Sequence, residues 1–366
     1  MQNFNQVFSG TEKTVFELRQ LYGEYGYKKY RMSKFEKYDL YAKNKDFLVS
    51  DNVITFTDTD GTLMALKPDV TLSIIKNGKD GVGLEKVYYN ESVYRVGKGT
   101  RSFKEFMQVG LECFGDIDDY AISEVLYLAV KSLEKVSTDY ILTLSDLDLV
   151  NAILSAVGLS QAGSKKVLEL LAEKNAHGIT EVCKEENIGE ENAETVKKLV
   201  TVYGDAKKVI AQLKALNLSQ IAKPLNQLEN ILSFLEDMGV LDKVKIDFSV
   251  VSDINYYNGI VFKGFVSGIP TSIISGGQYD SLMKKMKRQD KAIGFAVYLD
   301  EIEKFVAEPK VFDVDVAIEY GENCDIKLIN EKVKKAKEQG ERVFVAKKLP
   351  EKLTFKRLID LKGGKN

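Results

Sequence analysis

Alternating apolar and polar positions mark the stretch from Lys245 to Phe305 as the part of the chain that organises the rest. Ile246, Phe248 and Val250 alternate with Asp247 and Ser249. Ile260, Phe262, Gly264 and Val266 alternate along a second run, and Ile273 and Ile274 lie in a third that ends at Gly276-Gly277. Successive side chains of a strand point to opposite faces. A period of two in β-branched and aromatic residues therefore predicts three antiparallel strands with one buried face, followed by a helix. Asn255, Tyr256, Tyr257 and Asn258 put polar groups where a strand leaves the core, and the double glycine marks a close approach of backbone.

The same reading extends along the chain. Val15, Phe16, Leu18, Leu21, Tyr22 and Tyr25 recur at helical spacing within residues 11–26. Val53, Thr55 and Thr57, the Asp60-Gly61 turn, and Leu63 and Ala65 predict a hairpin; Lys67-Pro68-Asp69 then opens a helix. Residues 86–96 and 104–115 form a long antiparallel pair around the basic loop GKGTRS. A helix over 119–135 and a strand–helix unit follow. Residues from about 158 to 241 read as a helical insertion between two strands of one sheet, with caps such as Ser160 and Asn217 and with solvated charged faces. After Phe305 the pattern is β, α, β and a final short helix, the two strands parallel, with a lysine-rich tail read as solvated. The fold class is α+β: an antiparallel sheet flanked by helices over residues 1–305, the helical insertion, and a small α/β region over 306–366.

A chain of 366 residues with 44% hydrophobic content can bury a sizeable core, and a net charge of -2 gives no general electrostatic case for nucleic acid. The three cysteines (Cys113, Cys183, Cys324) are scattered, lack metal-ligand spacing and fit a reducing compartment. His177, with no Cys or His nearby, reads as a surface residue. No signal segment or long apolar span appears, so a cytoplasmic location is expected. Candidate chemistry lies elsewhere. Gln108 and Glu112 are four apart on a strand, so they share a face with Phe106 and Gly110. Polar groups on an apolar face need partners, which a ligand or neighbouring Tyr and Arg residues can supply. Asp69 fits a helix cap or a carboxylate that receives a ligand's ammonium, and Lys98 and Arg101 fit an anion site or a solvated loop tip.

SDINYYNGIVF (252–262), GGQYDSLM (276–283) and AIGFAVYLDEI (292–302) resemble the histidine-specific and third signature motifs of histidyl-tRNA synthetase catalytic domains. LKPDVT (66–71) and the segment from Val93 to Gly115 resemble that family's substrate loop and second signature motif. Order and spacing agree over roughly residues 10 to 305, which implies a class II aminoacyl-tRNA synthetase fold. The resemblance places Asp69, Thr71 and Gln108 against the α-ammonium of histidine, and Glu112 and Tyr257 against its imidazole, with Tyr256 alongside. Arg95, Lys98 and Arg101 fall on the loop that holds phosphates in a synthetase. The first motif is poorly preserved in RMSKFEKYDLYAKN, so a homodimer is implied by the family alone.

Departures from the pattern change the expected function. Ser252 stands where the family has an Arg for the histidine carboxylate, and Gly97 where Arg95 usually has a Glu partner. Tyr298-Leu299-Asp300-Glu301 replaces the usual Gly-Leu-Glu-Arg, so an acid occupies the place of the ATP-phosphate Arg. Clustered phosphates need cations, and Glu301 repels them. No catalytic residue, cofactor or metal is therefore expected. The sequence resembles the non-catalytic paralogues, the regulatory subunits of ATP phosphoribosyltransferase. That implies a short-form catalytic chain as partner within a hetero-oligomer, histidine as feedback effector, and no membrane or tRNA partner. The C-terminal region resembles a truncated start of the anticodon-binding domain. An active histidyl-tRNA synthetase, or a paralogue acting on another amino acid, is the alternative.

Overall fold

The computed structural model describes residues 10–48, 52–78, 81, 83–97, 102–250, 256–304 and 312–362. They fall into two compact units, one within residues 11–305 and one within 306–366.

The larger unit begins with helix α1 (Gly10–Glu24), which buries Val15, Leu18, Leu21 and Tyr22. Strand β1 (Lys28–Lys29) follows, then β2 (Phe35–Lys37), helix α2 (Tyr38–Ala42), β3 (Thr55–Thr57) and β4 (Leu63–Leu66). Strands β2, β4 and β3 form a small antiparallel sheet. Gly61 has φ +84° in the β3–β4 turn, a left-handed value that favours glycine. Helix α3 (Thr71–Asn77) leads into β5 (Glu85–Val96) and β6 (Phe103–Gly115), which pair antiparallel from Glu85–Phe114 to Val96–Phe103. Helix α4 (Asp119–Glu134), strand β7 (Tyr140–Asp146) and helix α5 (Leu147–Ala156) come next; Asp118 and Asp146 cap the two helices through the N–H groups of Ala121 and Leu149.

The insertion holds α6 (Gln161–Ala172), α7 (Ala176–Glu185), α8 (Glu190–Lys198), α9 (Ala206–Ala215) and α10 (Ala222–Asp237). Ser160 caps the start of α6, and Asn217 caps the end of α9, in the left-handed region with φ +50°. His177 is exposed and pairs with Glu181 one turn on. The insertion is not wholly helical. Tyr203–Asp205 forms strand β8, an edge strand against β9 (Val244–Asp247). The sequence then supplies β10 (Asn258–Val266), β11 (Ile274–Gln278), α11 (Asp280–Lys285), β12 (Lys291–Tyr298) and α12 (Leu299–Glu303).

The large sheet runs β1-β5-β6-β12-β11-β10-β7-β9-β8. Two expectations for its central stretch need correction. β9 is parallel to β7, because the whole insertion lies between them and carries the chain back to the same end. A fourth strand, β12, sits mid-sheet between β6 and β11. Its residues are buried on both faces, so they read as an unbroken apolar run without alternation.

The two faces of the sheet carry different cores. Tyr88, Val109, Leu111 and Cys113 pack with α1 and α4 on one face. Tyr89, Val93 and Phe114 pack on the other with Tyr41, α3 and Leu282 and Met283 of α11. The second face carries the site described below.

The smaller unit contains β13 (Val314–Tyr320), α13 (Ile326–Glu338), β14 (Val343–Ala346) and β15 (Phe355–Leu361). The strands form a parallel sheet, β14-β13-β15. Val333 and Ala336 of α13 cover Val316, Ile318, Val343, Val345, Ile359 and Leu361. The expected final helix is a strand. Phe355, Ile359 and Leu361 follow a period of two, and pairing with β13 decides the outcome.

Candidate functional site

One face of the large sheet forms the floor of a cavity, and strand register decides which residues reach it. Directly opposed residues of antiparallel strands point the same way. Tyr89 of β5 opposes Gly110 of β6, Gly110 opposes Ala296 of β12, and Ala296 opposes Ser275 of β11. In the next row Glu112 opposes Gly294, which opposes Gly277; in the row on the other side Gln108 opposes Tyr298. The glycines make room. A Cβ on Gly294 would lie 1.8 Å from Glu112 Oε2, and one on Gly110 would lie 2.4 Å from the Tyr89 hydroxyl oxygen. A Cβ on Gly277 would meet the Tyr257 ring at 2.7 Å.

The walls come from three further segments. Asp69 Oδ1 accepts the Leu72 N–H at 2.9 Å, capping the first turn of α3 while its side chain lines the cavity. Asp69 thus caps the helix and faces the cavity at once. Thr71, the first residue of α3, donates from Oγ1 to Glu112 Oε1 at 2.8 Å, and the Tyr279 hydroxyl donates to Oε2 at 2.6 Å. Tyr256 stacks edge-on against Tyr257 at 4.6 Å between ring centroids, and lies 5.9 Å from the Tyr279 ring. Arg95 donates from Nε to the Pro68 carbonyl at 2.5 Å and holds Nη2 3.7 Å from Asp69 Oδ2.

Burial dominates the electrostatics. Glu112 is 2% exposed, and burial pushes its carboxyl up to about 8; the hydrogen bonds from Tyr279 and Thr71 pull it down, and the nearby charge of Asp69 raises it. Burial also raises Asp69, against Arg95 and the N–H groups of Leu72 and Thr71. The phenols of Tyr89, Tyr256 and Tyr279 are driven well above their ordinary range by burial first, and so stay neutral. Gln108 is 4% exposed, lines the cavity, and makes no side-chain hydrogen bond among the described residues. A buried amide facing a cavity without a partner is costly unless a ligand or water meets it.

Asp69, Thr71, Arg95, Gln108, Glu112, Tyr256 and Tyr257 thus line one cavity. Ser252, Lys98 and Arg101 lie outside the described residues. Tyr89, Ser275, Tyr279 and Tyr298 also line the cavity, beyond the residues the sequence predicts there. Tyr89 shares the parity of Arg95 on β5, which is a readable signal; Ser275 and Tyr298 depend on register across three strands. Glu301 does not line the cavity. It accepts from Thr271 Oγ1 at 3.0 Å and pairs with Lys304 at 2.6 Å, and its neighbour Asp300 accepts the Met107 N–H at 2.9 Å.

The histidyl-tRNA synthetase family model matches residues 6–302. The chain belongs to the histidyl-tRNA synthetase family. Within it, the curated relatives include the ATP phosphoribosyltransferase regulatory subunit of Caldanaerobacter subterraneus subsp. tengcongensis, 29% identical over 296 residues that cover 78% of this chain and 76% of that one. The protein of the same name from Clostridium acetobutylicum is 25% identical over 90% of this chain and 84% of its own. Among solved structures, an ATP phosphoribosyltransferase regulatory subunit/histidyl-tRNA synthetase from Bacillus halodurans superposes with a TM-score of 0.78 at 23% identity, covering 97% of this chain and 95% of that one. A chain of the ATP phosphoribosyl transferase (HisG:HisZ) complex from Thermotoga maritima gives 0.62 at 21% identity, covering 79% and 97%. These similarities agree with the synthetase-like architecture read from the motifs. No helix among the described residues is long and apolar enough to cross a membrane.

Proposed function

We propose that this chain is the non-catalytic regulatory subunit of a hetero-oligomeric ATP phosphoribosyltransferase, acting in the first step of histidine biosynthesis. The observation that carries the reading is a split in the synthetase machinery. The cavity brings together a histidine-type set (Asp69, Thr71, Gln108, Glu112, Tyr256, Tyr257), while Glu301 is an anchored acid where synthetases carry an Arg for ATP phosphate. A site with this charge binds an amino acid but opposes the triphosphate needed to activate it. The names of the relatives support the same division. In this reading the partner is the short-form catalytic chain, histidine is the feedback effector, and the protein is a cytoplasmic homodimer within the larger assembly.

In the cavity, Glu112 and Tyr257 meet the imidazole, and Asp69, Thr71 and Gln108 meet the α-ammonium. Ser252 in place of Arg removes a bidentate contact to the carboxylate, which weakens binding by about 1.5–3 kcal/mol, or roughly ten- to a hundred-fold. Such weakening suits a sensor that must respond near cellular amino-acid levels. Titration calorimetry tests the assignment: histidine binds the wild type, alone or with its partner, and Glu112→Ala loses it. Equal binding by Glu112→Ala overturns the site, and histidine-dependent pyrophosphate exchange at a synthetase's rate overturns the non-catalytic role.

A further inference from the structure

A second cavity, of about 270 Å³, is lined by Lys34, Lys67, Asn90, Glu91, Ser92 and Met107 and shares no lining residue with the first. It occupies a gap along the outer edge of β5. At one end of the gap the Tyr88 carbonyl accepts the Tyr30 N–H at 2.7 Å; at the other the Tyr94 N–H donates to the Lys67 carbonyl at 2.9 Å. Every second residue of a strand turns its N–H and C=O to the same edge, so the backbone of Asn90 and Ser92 faces the gap as that of Tyr88 and Tyr94 does. The Lys67 N–H donates to the Lys34 carbonyl at 3.1 Å, which brings the two lysines to one wall. The Lys67 side chain is 1% exposed, and its ammonium pairs with the Glu91 carboxylate. An ammonium has three donors, one of which meets Glu91 Oε2, and in a buried group each further donor is costly until an acceptor reaches it. Exposed Lys34 adds a second ammonium. Two cations and one carboxylate among the lining residues give this wall an excess of positive charge, and the Asn90 amide and Ser92 hydroxyl add neutral donors.

We propose that this second cavity binds a small oxyanion, a carboxylate or a phosphate, between the ammonium groups of Lys34 and Lys67 and the Asn90–Ser92 edge of β5. Glu91 sets the affinity. Its charge opposes the incoming anion and competes with it for Lys67, so the anion binds against a resident carboxylate. The site is independent of the ligand assigned to the first cavity, and either can fail without the other.

Calorimetry on the full chain at constant ionic strength tests this with two probes, inorganic phosphate and acetate; fixing the salt keeps screening equal between them. Binding of either probe or of both supports the site, and the pattern names the anion. Lys34→Glu changes an exposed side chain and reverses one of the two charges, so it is expected to weaken binding at least about ten-fold. Glu91→Gln keeps the shape and removes the competing charge, so it is expected to tighten binding, the opposite of what loss of a merely structural ion pair would do. Failure of both probes to bind, a smaller loss in Lys34→Glu, or binding no tighter in Glu91→Gln would overturn the proposal.

Discussion

Glu112 is the residue on which the site's chemistry turns. It accepts hydrogen bonds from Thr71 and Tyr279, yet burial holds its proton to about pH 8 against an ordinary 4.5. A carboxyl raised in the fold binds its proton more tightly folded than unfolded. Its contribution to stability is fully present below pH 4.5 and is lost as pH rises toward 8. Asp69, facing it, is shifted the same way. Glu112→Gln keeps the shape and removes the ionisation. The variant is expected to match wild type in thermal stability near pH 5 and to exceed it at pH 8, by on the order of 3 kcal/mol. Melting curves at the two pH values check this, and a gain that does not grow with pH would contradict it. Gln108 and Glu112 were legible in the sequence because strand parity alone puts them on one face. The hydrogen bonds to Glu112 were not, because Thr71 and Tyr279 lie 41 and 167 residues away in sequence.

Strand β12 shows what local pattern can and cannot tell. The hairpin of β5 and β6, the turn before β4 and helices α1, α3 and α4 follow periodicities set by their own residues. β12 has no such period because both of its faces are covered, and the direction of β9 depends on the insertion that precedes it. The smallest residue of β12 is tightly enclosed. A side chain at Gly294 meets Glu112 Oε2 at 1.8 Å and the Leu111 carbonyl at 2.5 Å, and backbone cannot yield cheaply. Gly294→Ala is expected to lower stability by about 1–3 kcal/mol and to abolish histidine binding, measured by denaturant midpoint and calorimetry. Gly23, inside α1, has open space around its missing Cβ. Gly23→Ala is expected to raise stability by about 0.5–1 kcal/mol, through helix propensity and a less free unfolded chain.

At the scale of the whole molecule, a synthetase-type sheet carries a cavity lined by Asp69, Gln108 and Glu112, and an acid, Glu301, stands where the resemblance expects an Arg. In the proposed reading such a chain does its work by changing another protein. In that reading a catalytic partner, a homodimer and a feedback role go with the division of labour, and a complex is where they can be observed together. The most direct measurement mixes the purified chain with the short-form ATP phosphoribosyltransferase catalytic chain from the same genome, then follows elution and ATP-dependent turnover with and without histidine. A regulatory subunit is expected to co-elute with the catalytic chain, to raise its turnover, and to make that turnover fall when histidine is added. Separate elution with turnover unchanged in either direction would contradict a regulatory role.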